Sequence, residues 1–181
     1  MTRGAARILD EYLVASARAG DRKAFAMLAE RWQVKLVAHA WRLTGDREAA
    51  RDAAQAGWVE IVRGLQRLQD ERAFPAWAYR IVSRRCGRLT GESVRRRELG
   101  EALAGQPEVV EADWGEALDA RRLRSAIAAL PSDQRSAIAL FYLEDMSVAE
   151  VAVALAIPAG TVKTRLMHAR RKLRAALEGD E

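Results

Sequence analysis

The residues best placed to do chemistry are bases gathered on one helical stretch. Between Pro158 and Leu177 stand six Lys or Arg and no acid. Such a stretch holds phosphates, and polar side chains at its centre can read base edges. Val162, Leu166, Ala169 and Leu173 recur at i, i+4, i+7 and i+11, which predicts one narrow buried stripe. At 100° per residue the opposite side then carries Thr164, Met167, His168 and Arg171. Lys163, Arg170 and Arg174 flank one edge, and Arg165 and Lys172 the other. Placed in a major groove, the central side chains would meet bases and the flanking cations phosphates. The competing reading is a solvated basic helix at a chain end. The absence of any acid speaks against it. His168 sits on the groove side, and without a second ligand nearby it is not a metal site.

A second basic group lies in FPAWAYRIVSRRCGRL, residues 74–89. Phe74, Ala78, Ile81, Val82 and Leu89 would line its buried side, with Arg80, Ser83, Arg84 and Gly87 pointing away. Trp77 and Tyr79 stand close to these arginines. Aromatic rings beside cations suit single-stranded DNA, because every base offers a face to stack on. Ordinary core packing is the other reading of Trp77, and a solvated face that of the arginines.

Other chemistry finds little material. Cys86 is the only cysteine, so no internal disulfide forms, and the two histidines, His39 and His168, are too far apart for a zinc site of usual spacing. Cys86 lies among arginines, where a low thiol pKa is conceivable, but buried packing is the preferred role. GxxxxGK[ST], GxGxxG and GxSxG are all missing. The expectation is a protein that is no enzyme and takes no cofactor or metal.

Both basic groups need a scaffold, and the 181-residue chain reads almost entirely as helix. Ala fills 36 positions, against 12 Gly and 4 Pro. Helices are predicted over Asp10–Ala19, Asp21–Leu43 (with Phe25, Leu28, Ala29, Trp32 and Leu36 on one face), Asp46–Leu65 and Phe74–Leu89. Arg67 to Arg72 reads as a polar loop. Beyond residue 118, Asp119–Leu130 is helical, and Ser132 reads as the N-cap of a helix to Leu143. Ser147-Val-Ala-Glu150 is a capping-box pattern that opens a short helix to Leu155. Pro158 suits the first turn of the last helix. The short helix, tight turn and long basic helix make a helix-turn-helix. Val148, Val151, Ala152 and Leu155 should form the buried face of its first helix.

Charge divides the chain. Residues 1–90 carry 17 bases and 10 acids, residues 91–119 carry 3 and 8, and residues 120–181 carry 10 and 7. An acidic stretch thus separates two basic blocks and reads as a linker, with Trp114 expected to dock on a neighbouring surface. The fold class expected is all-α, two small helical domains joined by a flexible acidic linker. No apolar run approaches the roughly 18 residues of a membrane span, and the N-terminus has acids where a signal peptide needs its apolar stretch. A cytoplasmic protein is expected.

At this point the whole chain resembles an extracytoplasmic-function (group IV) sigma factor of bacterial RNA polymerase. The resemblance rests on ARAGDRKAFAMLAERW, ARDAAQAGWVEIV, FPAWAYRIVSRR, LPSDQRSAIALFYLEDMS and AEVAVALAIPAGTVKTRLMHARRKL, in family order and spacing. Larger sigma factors carry a middle domain where this chain has only the acidic linker. The resemblance implies region 2 over 8–91, a linker over 92–119 and region 4 over 120–178. Region 2 would bind the polymerase β′ clamp helices through Asp52 and Gln55. It would also open the −10 element, with Leu68, Gln69 and Arg72 in a loop that captures a flipped base and Trp77, Arg80, Ser83 and Arg84 beside it. Region 4 would bind the β flap and read the −35 element through Lys163, Thr164, Met167 and His168, with Arg165, Arg170 and Arg171 on the same helix. An anti-sigma factor is an expected further partner.

Three positions depart from the family pattern. Ala56 stands where an acid is common, and Gly57 follows it in mid-helix. Ala156 replaces a common turn glycine, which an Ala tolerates only with φ negative. Arg84 replaces a frequent asparagine, so −10 preference should differ. Two other readings stay open: a stand-alone helix-turn-helix regulator of duplex DNA, and a degenerate sigma-like protein that only sequesters a partner.

Overall fold

In the computed structural model, residues 3–98 and 118–178 are described. Among them every regular element is helical, and the expected all-α class holds. The helices are α1 (Arg3–Arg18), α2 (Arg22–Thr44), α3 (Arg47–Gly64), α4 (Phe74–Glu98), α5 (Leu118–Ala128), α6 (Ser132–Ile138), α7 (Val148–Leu155) and α8 (Ala159–Glu178). Trp114 and the linker beyond Glu98 lie outside the described residues.

Local chemistry sets most boundaries. Asp21 caps α2 by accepting from the amides of Lys23 and Ala24, and Asp46 caps α3 by accepting from Ala49. Gly45 closes α2 in the left-handed conformation, φ +71°, and returns its amide to the Trp41 carbonyl at 2.8 Å. The capping box of α7 is complete, with Ser147 and Glu150 each bonding the other's backbone. The polar stretch 67–72 is more ordered than a loop, since short 3-10 turns occupy Leu65–Arg67 and Glu71–Ala73.

Four expectations are corrected. α4 runs on to Glu98, continuing through both Gly87 and Gly91, with no Pro inside it after Pro75 to stop it. Ser132 does not cap α6; Pro131 holds the cap position and Ser132 is already helical. The helix expected to run on to Leu143 changes at Ala139 into a π-helical turn over Ala139–Leu143. Ala156 does not keep φ negative. It sits at φ +55°, ψ +43°, because the sharp exit from α7 requires a left-handed residue there. The amides of Ala156 and Ile157 close the helix end onto Val153 and Ala152, which offsets a cost of about 1–2 kcal/mol for a non-glycine residue.

α1 to α4 pack around Leu28, Trp32, Leu36, Phe74, Tyr79 and Val82, all buried. Trp32 meets Phe74 edge-on at 5.1 Å between centroids. Gly57 and Gly64 let helices approach closely. A Cβ on Gly57 would lie 2.9 Å from Val82 Cγ2, and one on Gly64 would lie 2.8 Å from the Trp77 ring. Gly57 is therefore a packing requirement of the α3–α4 contact. α5 to α8 pack around Leu140, Val151, Ala154, Val162, Leu166 and Ala169. The two sets touch: α7 packs on α4 as well as on α8, and α6 packs on α2. Buried apolar residues therefore run continuously through both.

Candidate nucleic-acid interface

α8 presents its bases as its periodicity requires. Val162, Leu166 and Ala169 are buried and Leu173 is partly so. Lys163, Thr164, Met167, Arg170 and Arg171 are exposed, and His168 is half-buried beside them. Three of the bases have intramolecular ties, one of them Arg174, whose Nε lies 3.7 Å from Glu178. Arg165 Nε lies 3.3 Å from Asp133 on α6, and Arg170 Nε donates to the Leu166 carbonyl. Lys163, Arg171 and Lys172 stand out in solvent, so the helix offers an open cationic face to a polyanion.

The second surface is a cleft of about 600 Å³ beside the N-terminal half of α4. Glu60, Arg63, Arg67, Gln69, Asp70 and Trp77 are among the residues that line it, with Leu68 at its wall. The ring of Trp77 covers Gly64, whose missing Cβ opens that side. The volume falls in the range of small-ligand pockets, about 300–1,000 Å³, and cations with an exposed aromatic edge suit an unstacked base. Arg72 lies outside the lining, exposed on the following turn.

Not every expected group faces this cleft. Arg80 is exposed, and Arg84 is exposed but ion-paired to Glu60, which also holds Arg85 at 2.9 Å. Partial burial alone would raise the Glu60 carboxyl, but the hydrogen bonds and charges of Arg84 and Arg85 hold it below the usual carboxylate range. Ser83 turns inward and shares a hydrogen bond of 2.8 Å with Nε2 of the buried His39. Tyr79 is fully buried and offers no stacking surface. Both corrections have one cause. α4 is packed by α2 and α3 and also by α7, so its buried arc is wider than one stripe. Cys86 is buried, and burial pushes its thiol up to about 12, which leaves it packing and no reactivity.

On α3, Asp52 and Gln55 are exposed as expected. Val59 and Val62 extend the same line at i+7 and i+10 and are about half exposed. Helical spacing from Asp52 was enough to find these two valines in the sequence. Among the described residues, no group of three or more His, Cys, Asp or Glu is placed to hold a metal ion, and no helix is long and apolar enough to cross a membrane.

Fold and surfaces together define a two-unit, all-helical DNA-binding protein with a helix-turn-helix in its second unit. Family models for sigma-70 region 2 and sigma-70 region 4 match residues 28–96 and 120–173. The RNA polymerase sigma-H factor of Pseudomonas aeruginosa is 29% identical over 93% of this chain and 94% of its own length. The ECF RNA polymerase sigma factor SigW of Bacillus subtilis is 29% identical over 87% and 91%. Among solved structures, CnrH in complex with the cytosolic domain of CnrY superposes with a TM-score of 0.63 at 26% identity, over 96% of this chain and 99% of that one. The sigma factor RpoE of Bartonella quintana, in complex with the anti-sigma factor NepR, shares the fold with a TM-score of 0.68 at 23% identity, over 88% and 99%. The chain belongs to the extracytoplasmic-function family of RNA polymerase sigma factors.

Proposed function

We propose that this chain acts in the cytoplasm as a promoter-specificity factor. It directs bacterial core RNA polymerase to two DNA elements through two separate surfaces and performs no reaction of its own. The observation that carries this reading is the pairing, in one chain, of a basic helix whose open face carries no acid between Pro158 and Leu177 with a cleft on the other unit that sets Arg63 and Arg67 beside Trp77. Residues 120–178 form region 4. There Lys163, Thr164, Met167 and His168 read −35 bases, while Arg170 and Arg171 hold phosphates. Arg165 holds α8 to α6 through Asp133 and takes a phosphate only by giving up that pair. Residues 8–91 form region 2. Its cleft, with Leu68, Gln69 and Trp77, receives an unpaired −10 base, and Arg72, Arg80 and Arg84 hold the adjoining strand. Ser83 acts through His39 and touches no base.

The polymerase docks on the exposed line of α3. Asp52 and Gln55 supply polar contacts, and Val59 and Val62 supply apolar area to the β′ clamp helices; region 4 takes the β flap. The packing role of Gly57 removes one of the two departures that favoured a degenerate sequestering protein. CnrH is bound to the cytosolic domain of CnrY and RpoE to the anti-sigma factor NepR, which supports an anti-sigma factor as a further partner here.

The deciding experiment is run-off transcription with bacterial core polymerase on a random promoter library, with and without this protein. Transcripts downstream of an enriched two-part motif are the expected result. No initiation and no co-elution with core would sink the reading in favour of a stand-alone regulator.

A further inference from the structure

The loop at the cleft is held to its own unit at very few points. Of residues 66–73, only Leu68 and Glu71 are partly covered, and the other six are exposed. Leu68 packs against the apolar core, and its amide donates to the Leu65 carbonyl at 3.2 Å. Glu71 opens the second 3-10 turn, which Asp70 caps by accepting from the Arg72 amide at 2.9 Å. The Glu71 carboxylate is not part of the cleft wall, although Asp70 and Ala73 on either side of it are. It pairs instead with the guanidinium of Arg18, in the last turn of α1, which donates to it through Nη1. α1 itself lies against both 3-10 turns.

This ion pair is poorly suited to a role in stability alone. Its side chains are 26% and 33% exposed, and pairs open to water contribute little. Arg18 Nε is buried with no hydrogen-bond partner among the described residues, which works against whatever the pair gains. Position is what the pair supplies. A three-residue 3-10 turn has poor hydrogen-bond geometry and cannot hold itself in place. Its two anchors are Phe74, fully buried at the start of α4, and Arg18 on α1. Charge adds a second effect. A strand entering the cleft brings phosphates, and a free carboxylate at the rim would repel them. Arg18 neutralises that carboxylate and keeps it on the α1 side, away from the strand that Arg72 holds.

We infer that Arg18 is a positioning residue for capture of the −10 base. Through Glu71 it fixes the 66–73 loop in the form that an unpaired base enters, so strand opening depends on the pair and −35 binding does not. A preformed pocket returns more of the cost of extruding a base than one that must first be ordered. The inference rests on the proposed promoter-recognition function for its consequence, and on the Arg18–Glu71 pair for its existence.

The test uses the full-length chain as wild type, Arg18→Met, Glu71→Gln, the double variant and Arg18→Lys. Amide hydrogen exchange reads the order of residues 66–73, and thermal melting reads stability. With core polymerase bound, permanganate reactivity of unpaired thymines on a promoter found by run-off selection reads strand opening. Binding of the same holoenzymes to a duplex carrying only the −35 element is the control. Arg18→Met and Glu71→Gln should each raise exchange in the loop at least about threefold. Each should lower opening about fivefold, the upper end of what a partly exposed pair can supply. Binding to the −35 duplex should stay within about twofold of wild type, as expected for a distant site. The double variant should be no worse than either single one, because both remove the same pair. Arg18→Lys keeps the charge and should open nearly as well as wild type. Single variants that open promoters like wild type overturn the inference. So does a double variant whose loss is the product of the two single losses. A loss of opening matched by equal losses in −35 binding and a lower melting temperature also overturns it, because the pair would then be merely structural. If exchange rises as expected but no sample, wild type included, initiates on any promoter, the promoter-factor reading fails while the brace on the loop stands.

Discussion

At the scale of single residues, two positions convert packing into measurable stability. Gly57 carries the α3–α4 approach, and Gly57→Ala sets a methyl 2.9 Å from a β-branched, fully buried Val82. Overpacking of this kind costs about 1–3 kcal/mol, and the better helix propensity of Ala returns at most about 1. The variant should melt below wild type, by several degrees in a thermal scan. His39 carries a pH dependence. Burial, and then the charge of Arg42, lower its pKa from 6.5 to about 3. The unfolded chain therefore binds a proton at His39 below about pH 6.5 that the folded chain refuses until about pH 3. Stability from this residue is full above pH 6.5 and is lost as pH falls through that window. By linkage the loss between pH 7 and pH 5 is about 2 kcal/mol. Urea unfolding at the two pH values measures it, and a His39→Asn variant should show a much smaller difference. Both residues were visible in the sequence, but their surroundings were not. Gly57 read as a mid-helix weakness and His39 as a distant, unpaired imidazole, because Val82 and Ser83 become their neighbours only after folding, although Arg42 stands one turn from His39 on the same helix.

At the scale of elements, α8 divides its labour between base-facing and phosphate-facing side chains. His168→Ala should change which −35 sequences are preferred. Arg170→Ala should weaken binding to all sequences alike and reduce the slope of log affinity against log salt by about 1. Binding titrations of both variants on a panel of −35 duplexes at several salt concentrations check this, and equal effects of the two on every duplex would refute the division. The buried stripe Val162–Leu166–Ala169, the capping box at Ser147 and the caps at Asp21 and Asp46 were legible because each is a short-range pattern. α4 was harder to read. A single stripe assigns Ser83 outward and leaves Tyr79 beside the arginines, but α2 packs Trp32 and His39 on the Tyr79 ring and takes the Ser83 hydrogen bond at His39. The turn at Ala156 failed for a different reason. Propensity argues against an L-residue at positive φ, yet the geometry of the helix-turn-helix demands it and two backbone hydrogen bonds secure it.

At the scale of the whole molecule, composition and charge were enough to divide the chain into two basic helical blocks, and both blocks are helical as expected. Their mutual contact had no sequence signal. Lys35 and Glu144 are 109 residues apart, and Arg42 and Arg135 are 93 apart. No periodicity links such distances. The acidic stretch between the blocks points to separation, while the contacts themselves join α2 to α6 and α4 to α7. The Lys35–Glu144 pair and the Arg135–Trp41 contact also bear on how such a chain can change over generations. A substitution at Lys35 or Trp41 is felt by a residue encoded some hundred codons away. Among descendants that keep this packing, positions 35 and 144, and 41 and 135, should therefore drift in matched pairs. Lineages that lose the packing should release all four at once, so that a pattern of inherited coupling would mark which of them still join the two units.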